Sequence, residues 1–117
     1  MSSMTKAAPR AGDPQKLQPD SLLLDTLQVK KLALVIRAIN HPLRQQMMKI
    51  IHNAGRICVT DLYIKLRLEQ SVASQHLAIL RRAGFVETAR DGKQIYYSIN
   101  YNKLNLVHTV ARQLLEI

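Results

Sequence analysis

This chain of 117 residues is poor in several things at once. It has one cysteine, Cys58, which excludes an intramolecular disulfide and suits a reducing compartment. Its longest strongly apolar run is LALVI at 32–36, far short of a membrane span, so no membrane partner is expected. The N-terminal MSSMTKAAPRAGDPQKLQPD lacks the apolar core of a signal peptide, and the default expectation is a cytoplasmic protein. Acid is scarce too: 8 Asp and Glu face 17 Lys and Arg, a formal charge of +9 that favours nucleic acid or another anionic surface as partner. There is no glycine-rich phosphate loop, no H-E-x-x-H and no G-x-S-x-G, and the few carboxylates are scattered, so an enzyme is not expected.

What is present is amphipathic. Residues 1–19 hold Pro9, Pro14 and Pro19 among small and polar residues and are read as a flexible tail, leaving 20–117 as one domain. Asp20 or Ser21 can cap a first helix reaching Asn40. It is apolar on two sides, with Leu32, Val35, Ile36 and Ile39 on one and Leu23, Leu27, Leu34 and Ala38 on the other. Pro42 opens a second helix that Gly55 stops, RICV is short and β-leaning, and Thr60 can cap a third helix. A tight turn leads to a fourth helix, ending at Gly84. FVETAR and KQIYYSI then read as two strands joined by Asp91-Gly92, and Asn100 or Asn102 caps a last helix. That helix is again two-faced: Leu104, Val107, Ala111, Leu114 and Leu115 on one side, Leu106, Val110 and Ile117 on the other. In so short a chain the second faces call for a second copy, which makes Leu23, Leu27, Leu34, Leu106, Val110 and Ile117 the expected homodimer interface.

The fourth helix carries the functional signal. Ala73, Leu77 and Leu80 form its inner face, while the outer face holds Ser71, Ser74, Gln75, Ala78 and Arg82 and no acid. An ordinary solvated helix carries Glu and Lys there. Small polar residues suit a helix pressed flat on a polyanion, and Ala78 permits close approach. Helix, tight turn, helix and basic hairpin make a winged helix-turn-helix, whose second helix enters the major groove of double-stranded operator DNA. The expected DNA-facing residues are Gln70, Ser71, Ser74, Gln75, Ala78 and Arg82, with Arg90 and Lys93 on the wing. Tyr96 and Tyr97 alternate on a strand, so one packs and the other meets phosphate or a partner; Tyr97 is assigned the second role. The fold class expected is mainly α with a small β-hairpin (α+β): five helices and a two-stranded wing, dimerising through the first and last helices.

From about His41 to Asn100 the sequence resembles the arsenical-resistance repressor (ArsR) family of bacterial winged-helix regulators. The resemblance rests on "HPLR", "DLYIKLRLEQSVASQHLAILRRAGFV" and the wing "RDGKQIYYSI". It implies a homodimeric transcriptional repressor that leaves DNA when it senses a signal, the effector here unknown. Two departures stand out. Glu69 occupies a place where the family usually has Ser. The metal-sensing "C-V-C-D-L" type signature reads Cys58-Val59-Thr60-Asp61-Leu62, with one thiolate replaced by Thr60, a poor ligand for soft metals. His108 and Glu116 on the last helix do not make the paired pattern of zinc-sensing relatives, so neither metal nor cofactor is expected. His41 is read as a helix-start residue, His52 as favourable to a helix C-terminus, His76 as a hydrogen-bonded structural histidine, and Cys58, Met47 and Met48 as core filling. The rival readings are a metal- or thiol-responsive repressor with an atypical site, and a winged-helix protein-interaction module.

Overall fold

The computed structural model describes residues 24–117. The expected tail at 1–19, the cap positions Asp20 and Ser21, and Leu23 lie outside the described residues. Two compact units divide the chain, Met1–Val35 and Ile36–Ile117. The elements in order are α1 (Thr26–Ile39), α2 (Pro42–Ala54), β1 (Ile57–Cys58), α3 (Val59–Leu66), α4 (Gln70–Arg82), β2 (Val86–Asp91), β3 (Gln94–Ile99) and α5 (Tyr101–Leu115).

Helix α1 starts later than its periodicity suggests. Leu24 and Asp25 are not helical, and the Asp25 carboxylate accepts from the N–H groups of Leu27 and Gln28, satisfying two donors that a helix start leaves free. In the first unit Leu24, Leu27, Leu32 and Leu34 are all exposed, Leu27 at 59%. In the second unit the only residue of α1 that is buried is Ala38, expected on the outer face.

The core of the second unit is built from Met47, Met48 and Ile51 of α2, Leu62 of α3, Ala73, Leu77 and Leu80 of α4, and Phe85, Val86 and Ile99 around the hairpin. Leu77 and Leu80 fall on the inner face of α4 that the spacing marks, and Met47 and Met48 fill the core as expected. His41 caps α2, its Nδ1 accepting from the Leu43 N–H at 3.1 Å, and Pro42 follows at the first helical turn, where a missing N–H costs little. Thr60 does not cap α3. The helix begins two residues earlier, at Val59, behind Cys58, which makes no side-chain cap bond. Asn100 rather than Asn102 caps α5: its Oδ1 accepts from the Lys103 N–H, and its Nδ2 donates to the Gly84 carbonyl, joining the start of α5 to the end of the helix-turn-helix.

The sheet has three antiparallel strands rather than two, in the order β1-β3-β2. The short RIC stretch pairs Ile57 with Tyr97 and Cys58 with Tyr96, so the wing is anchored on its far edge. The hairpin turn is also shifted by one residue. Asp91 is paired opposite Gln94, which leaves Gly92-Lys93 as the two-residue loop. Only Gly92 has positive φ, at 64°, which is the pattern of a type II′ turn, with glycine at its first central position.

One buried charge ties these parts together. Arg44, in the first turn of α2, is only 6% exposed. Its Nε donates to the Ala38 carbonyl at 2.6 Å, Nη2 to the Arg37 carbonyl at 3.1 Å, and Nη1 to Nδ1 of His76 in the middle of α4 at 3.1 Å. A guanidinium buried with no carboxylate is costly unless hydrogen-bonded. Here the two carbonyls belong to the last turn of α1, where unpaired acceptors and the negative end of the helix dipole both favour a cation.

Replacing Arg44 with Leu should therefore leave the Ala38 carbonyl and His76 without this donor, and the Arg37 carbonyl with only the Asn40 N–H at 3.3 Å. We expect a loss of about 2–4 kcal/mol in urea unfolding, read as a lower midpoint at unchanged slope. A change below about 0.5 kcal/mol would mean that Arg44 is not the tie described.

The same contact predicts a pH dependence. The pKa of His76 is lowered below 6.5, first by burial, then by the neighbouring His41 and Arg44. Accepting from Arg44 at Nδ1 also requires the neutral ring. The folded chain then stays unprotonated at His76 where the unfolded chain has already taken up a proton. Stability should be complete above about pH 6.5 and fall as pH drops from there through the folded-state pKa. Denaturant midpoints measured between about pH 7.5 and about pH 5.5 should fall less steeply in His76→Asn, which keeps an acceptor but does not titrate.

Candidate nucleic-acid interface

Helices α3 and α4 are joined by a turn of three residues. Arg67 takes the left-handed conformation, φ 55° and ψ 42°, its N–H closing on the Ile64 and Tyr63 carbonyls, and the Leu68 N–H bonds to the Tyr63 carbonyl at 2.9 Å. Those bonds satisfy the last acceptors of α3 and reverse the chain sharply. Glu69 stands at the cap of α4 and makes no side-chain cap bond; only its carbonyl serves, accepting from the Val72 and Ala73 N–H groups. A glutamate reaches poorly into this position, as its length suggests, so the first N–H groups of α4 have no side-chain partner from it.

The buried Ala73, Leu77 and Leu80 fix the roll of α4. Gln70, Ser71, Ser74, Gln75 and Arg82 are consequently exposed, and Ala78 is half-buried. No residue of α4 is acidic, and its last turn carries Arg81 beside Arg82, both exposed. Arg81 lies one position off the outer stripe that the helical spacing marks, so periodicity alone does not point to it.

The wing presents Arg90 and Lys93, both exposed, near its tip. Asp91 lies between them in sequence, and its charge is met by Arg56, whose Nη2 lies 2.9 Å from Oδ2. The same guanidinium sits 4.0 Å above the centroid of the Tyr96 ring. Both partners are well exposed, so the pair is worth little in stability, but it cancels the one carboxylate near the tip. The strand register puts Tyr97 on the sheet face of Ile57, Val86 and Ile99, which are buried, and Tyr97 itself is half-buried; Tyr96 lies on the opposite face. Arg56 precedes β1 and gave no signal in sequence, since its partner is 35 positions away.

Of the potential ligands, Cys58 is buried and Asp61 is exposed in the first turn of α3. His52 bonds to the Tyr101 hydroxyl at 2.6 Å, and the His41 and His76 rings meet at a tilt, 5.0 Å between centroids. Among the described residues no three His, Cys, Asp or Glu side chains gather to hold a metal ion. Nor is any helix among them long and apolar enough to cross a membrane.

Three comparisons with known proteins agree with this geometry. The family model for bacterial regulatory proteins of the arsR family matches residues 41–88, from the cap of α2 into the wing. A transcriptional repressor SmtB homolog from Synechocystis is 32% identical over 103 residues, 87% of this chain and 76% of that one. A biofilm growth-associated repressor from Agrobacterium fabrum is 36% identical over 73 residues, 62% of each chain. Among solved structures, NolR from Sinorhizobium fredii superposes with a TM-score of 0.64 at 27% identity, covering 86% of this chain and 95% of that one. The chain belongs to the arsR family of bacterial regulatory proteins, a family of DNA-binding transcriptional regulators with the winged-helix fold.

Proposed function

We propose that this protein is a dimeric, sequence-specific repressor that lays α4 in the major groove of operator DNA and its wing on the adjacent backbone. The observation that carries the reading is the outer face of α4: exposed, polar, free of acid, and flanked by a wing whose one tip carboxylate is neutralised. Gln75 and Ser74 are placed to reach base edges, Gln75 being able to hold an adenine with two hydrogen bonds. Gln70 and Ser71, at the start of α4, offer donors to phosphate beside the free N–H groups of the helix end. Ala78 leaves room for the groove wall, and Arg82, Arg90 and Lys93 supply charge to the backbone. Tyr97, half-buried at the root of the wing, has only its hydroxyl to offer a phosphate. Repression rather than activation is supported by relatives that are named repressors. A protein-interaction module is the weaker reading, since such a face would be more apolar. Neither enzymatic chemistry nor a resident metal is part of this reading, and a reducing cytoplasm is its natural setting.

Dimerisation is supported by apolar surface that a lone chain leaves in water. In the first unit that surface includes Leu27 and Leu34; in the second, Leu106 is 58% exposed and Ile117 83% exposed, with Val110 half-buried beside them on α5. A second copy covers each of these faces in the assembly we propose.

Two experiments test the reading. Leu106→Glu with Val110→Glu should give monomer by light scattering and weaken DNA binding at the same time; a wild-type chain that is strictly monomeric at micromolar concentration removes the dimer. On DNA, the recognised sequence should be an imperfect inverted repeat with half-sites about one helical turn, roughly 34–36 Å, apart. Gln75→Ala should cost on the order of 1–3 kcal/mol, chiefly on the preferred sequence. Arg90→Ala or Lys93→Ala should weaken all duplexes alike and lower the log–log salt slope by about one. The opposite pattern, with Gln75→Ala uniform across sequences and Lys93→Ala silent, would contradict this placement of helix and wing.

A further inference from the structure

A cavity of about 400 Å³ lies in the second unit between α2 and α5, away from α4 and the wing tip. That size is within the range of small-molecule sites. Its apolar lining is Met48 and Ile99, both buried, with half-buried Ile39 of α1 and Leu104 of α5. The polar lining is exposed Gln45, Lys49 and His52 of α2 and Tyr101 and His108 of α5. Leu104 and His108 are four residues apart on α5, and Lys49 and His52 three apart on α2, so each pair shares a helix face. None of the lining residues is acidic. The cavity therefore offers an apolar body, cation and imidazole donors at its mouth, and nothing to repel an anion.

The His52 ring is held in place. Its Nδ1 is 2.6 Å from the Tyr101 hydroxyl, and the two rings meet edge to face, 5.7 Å apart. In the tautomer where Tyr101 donates to Nδ1, Nε2 carries the hydrogen and is a donor. A positioned donor beside the Lys49 ammonium is what a carboxylate requires, and the charge assistance strengthens both bonds. We propose that this cavity is the binding site for a small organic acid with an aromatic or medium-chain apolar body. None of the residues assigned to DNA lies in it, so it is separate from the surface that reads sequence.

The site also stands where a ligand could act on DNA binding, a consequence that rests on the function proposed above. Helix α2 lines the cavity near its C-terminal half, and its first turn carries Arg44, which holds His76 of α4. A ligand wedged between α2 and α5 biases the position of the helix to which the recognition helix is tied.

The test uses the full chain and 2-naphthoate as probe, with 2-naphthamide as its neutral counterpart. Calorimetry should give one naphthoate per chain with Kd below about 1 mM, and at least about tenfold weaker binding of the amide. Leu104→Trp, which fills the cavity, and Lys49→Gln, which removes the cation, should each weaken naphthoate binding by about tenfold or more. Leu104→Trp is checked by its thermal unfolding curve, and the exposed Lys49→Gln stands as the independent variant should the first not fold. No heat of binding at millimolar naphthoate, equal affinity for the amide, or unchanged binding in a folded Leu104→Trp chain each overturns the proposal. Calorimetry needs no DNA, so a protein that binds naphthoate but no duplex would fail the function proposed above and leave this site standing.

Discussion

The arrangement of this domain depends on a buried cation held by uncharged acceptors. Among the described residues Arg44 has neither Asp nor Glu against it, and its stability comes from two carbonyls at the end of α1 and one imidazole nitrogen on α4. Each of those acceptors sits on a different kind of structure: a helix end that needs donors, and a side chain in the middle of another helix. Because the guanidinium is planar and its donors point in fixed directions, the three bonds hold together only when the α1–α2 corner and α4 are both in place. A lysine could not do this with a single point charge. Helix α4 is thus positioned by packing of Leu77 and Leu80 from below and by a directional polar contact from the side.

That constraint explains how the outer face of α4 can be so sparsely decorated. A surface helix ordinarily draws support from pairs of long charged residues along its exposed side. Here the exposed side has no acid with which to form them, and the helix is held instead through its buried face. Freed from a structural role, the outer residues are small and polar. The wing is managed in a similar way: Arg56 cancels Asp91, and pairing with β1 anchors β3 on the edge opposite β2. In both places acid is absent or neutralised, on the two surfaces proposed to meet DNA.

Much of this was legible in the sequence because it is local. The 3.6-residue spacing of Ala73, Leu77 and Leu80, proline after His41, and glycine beside Asp91 each act over a few residues, and the helices and hairpin they imply are present. Boundaries were less legible, since several residues compete for one task. Asp25 caps α1, Asn100 took the cap of α5 that Asn102 also suited, and strand register moved the hairpin loop to Gly92-Lys93. The two residues β1 contributes carry too little pattern to announce a third strand. Arg44 did leave a trace that went unread: a basic residue in the first turn of a helix opposes the dipole, and a compensating partner has to be sought elsewhere.

The sequence by itself determined the order of helices and strands, the apolar inner face of α4 and the acid-free outer one, since periodicity and composition are properties of short segments. Only the tertiary structure decided that Arg44 is buried, that His76 is its acceptor 32 positions away, that Arg56 answers Asp91, and that α2 and α5 line one open cavity. Those are contacts between residues distant in the chain, and their existence depends on distances that no local pattern encodes.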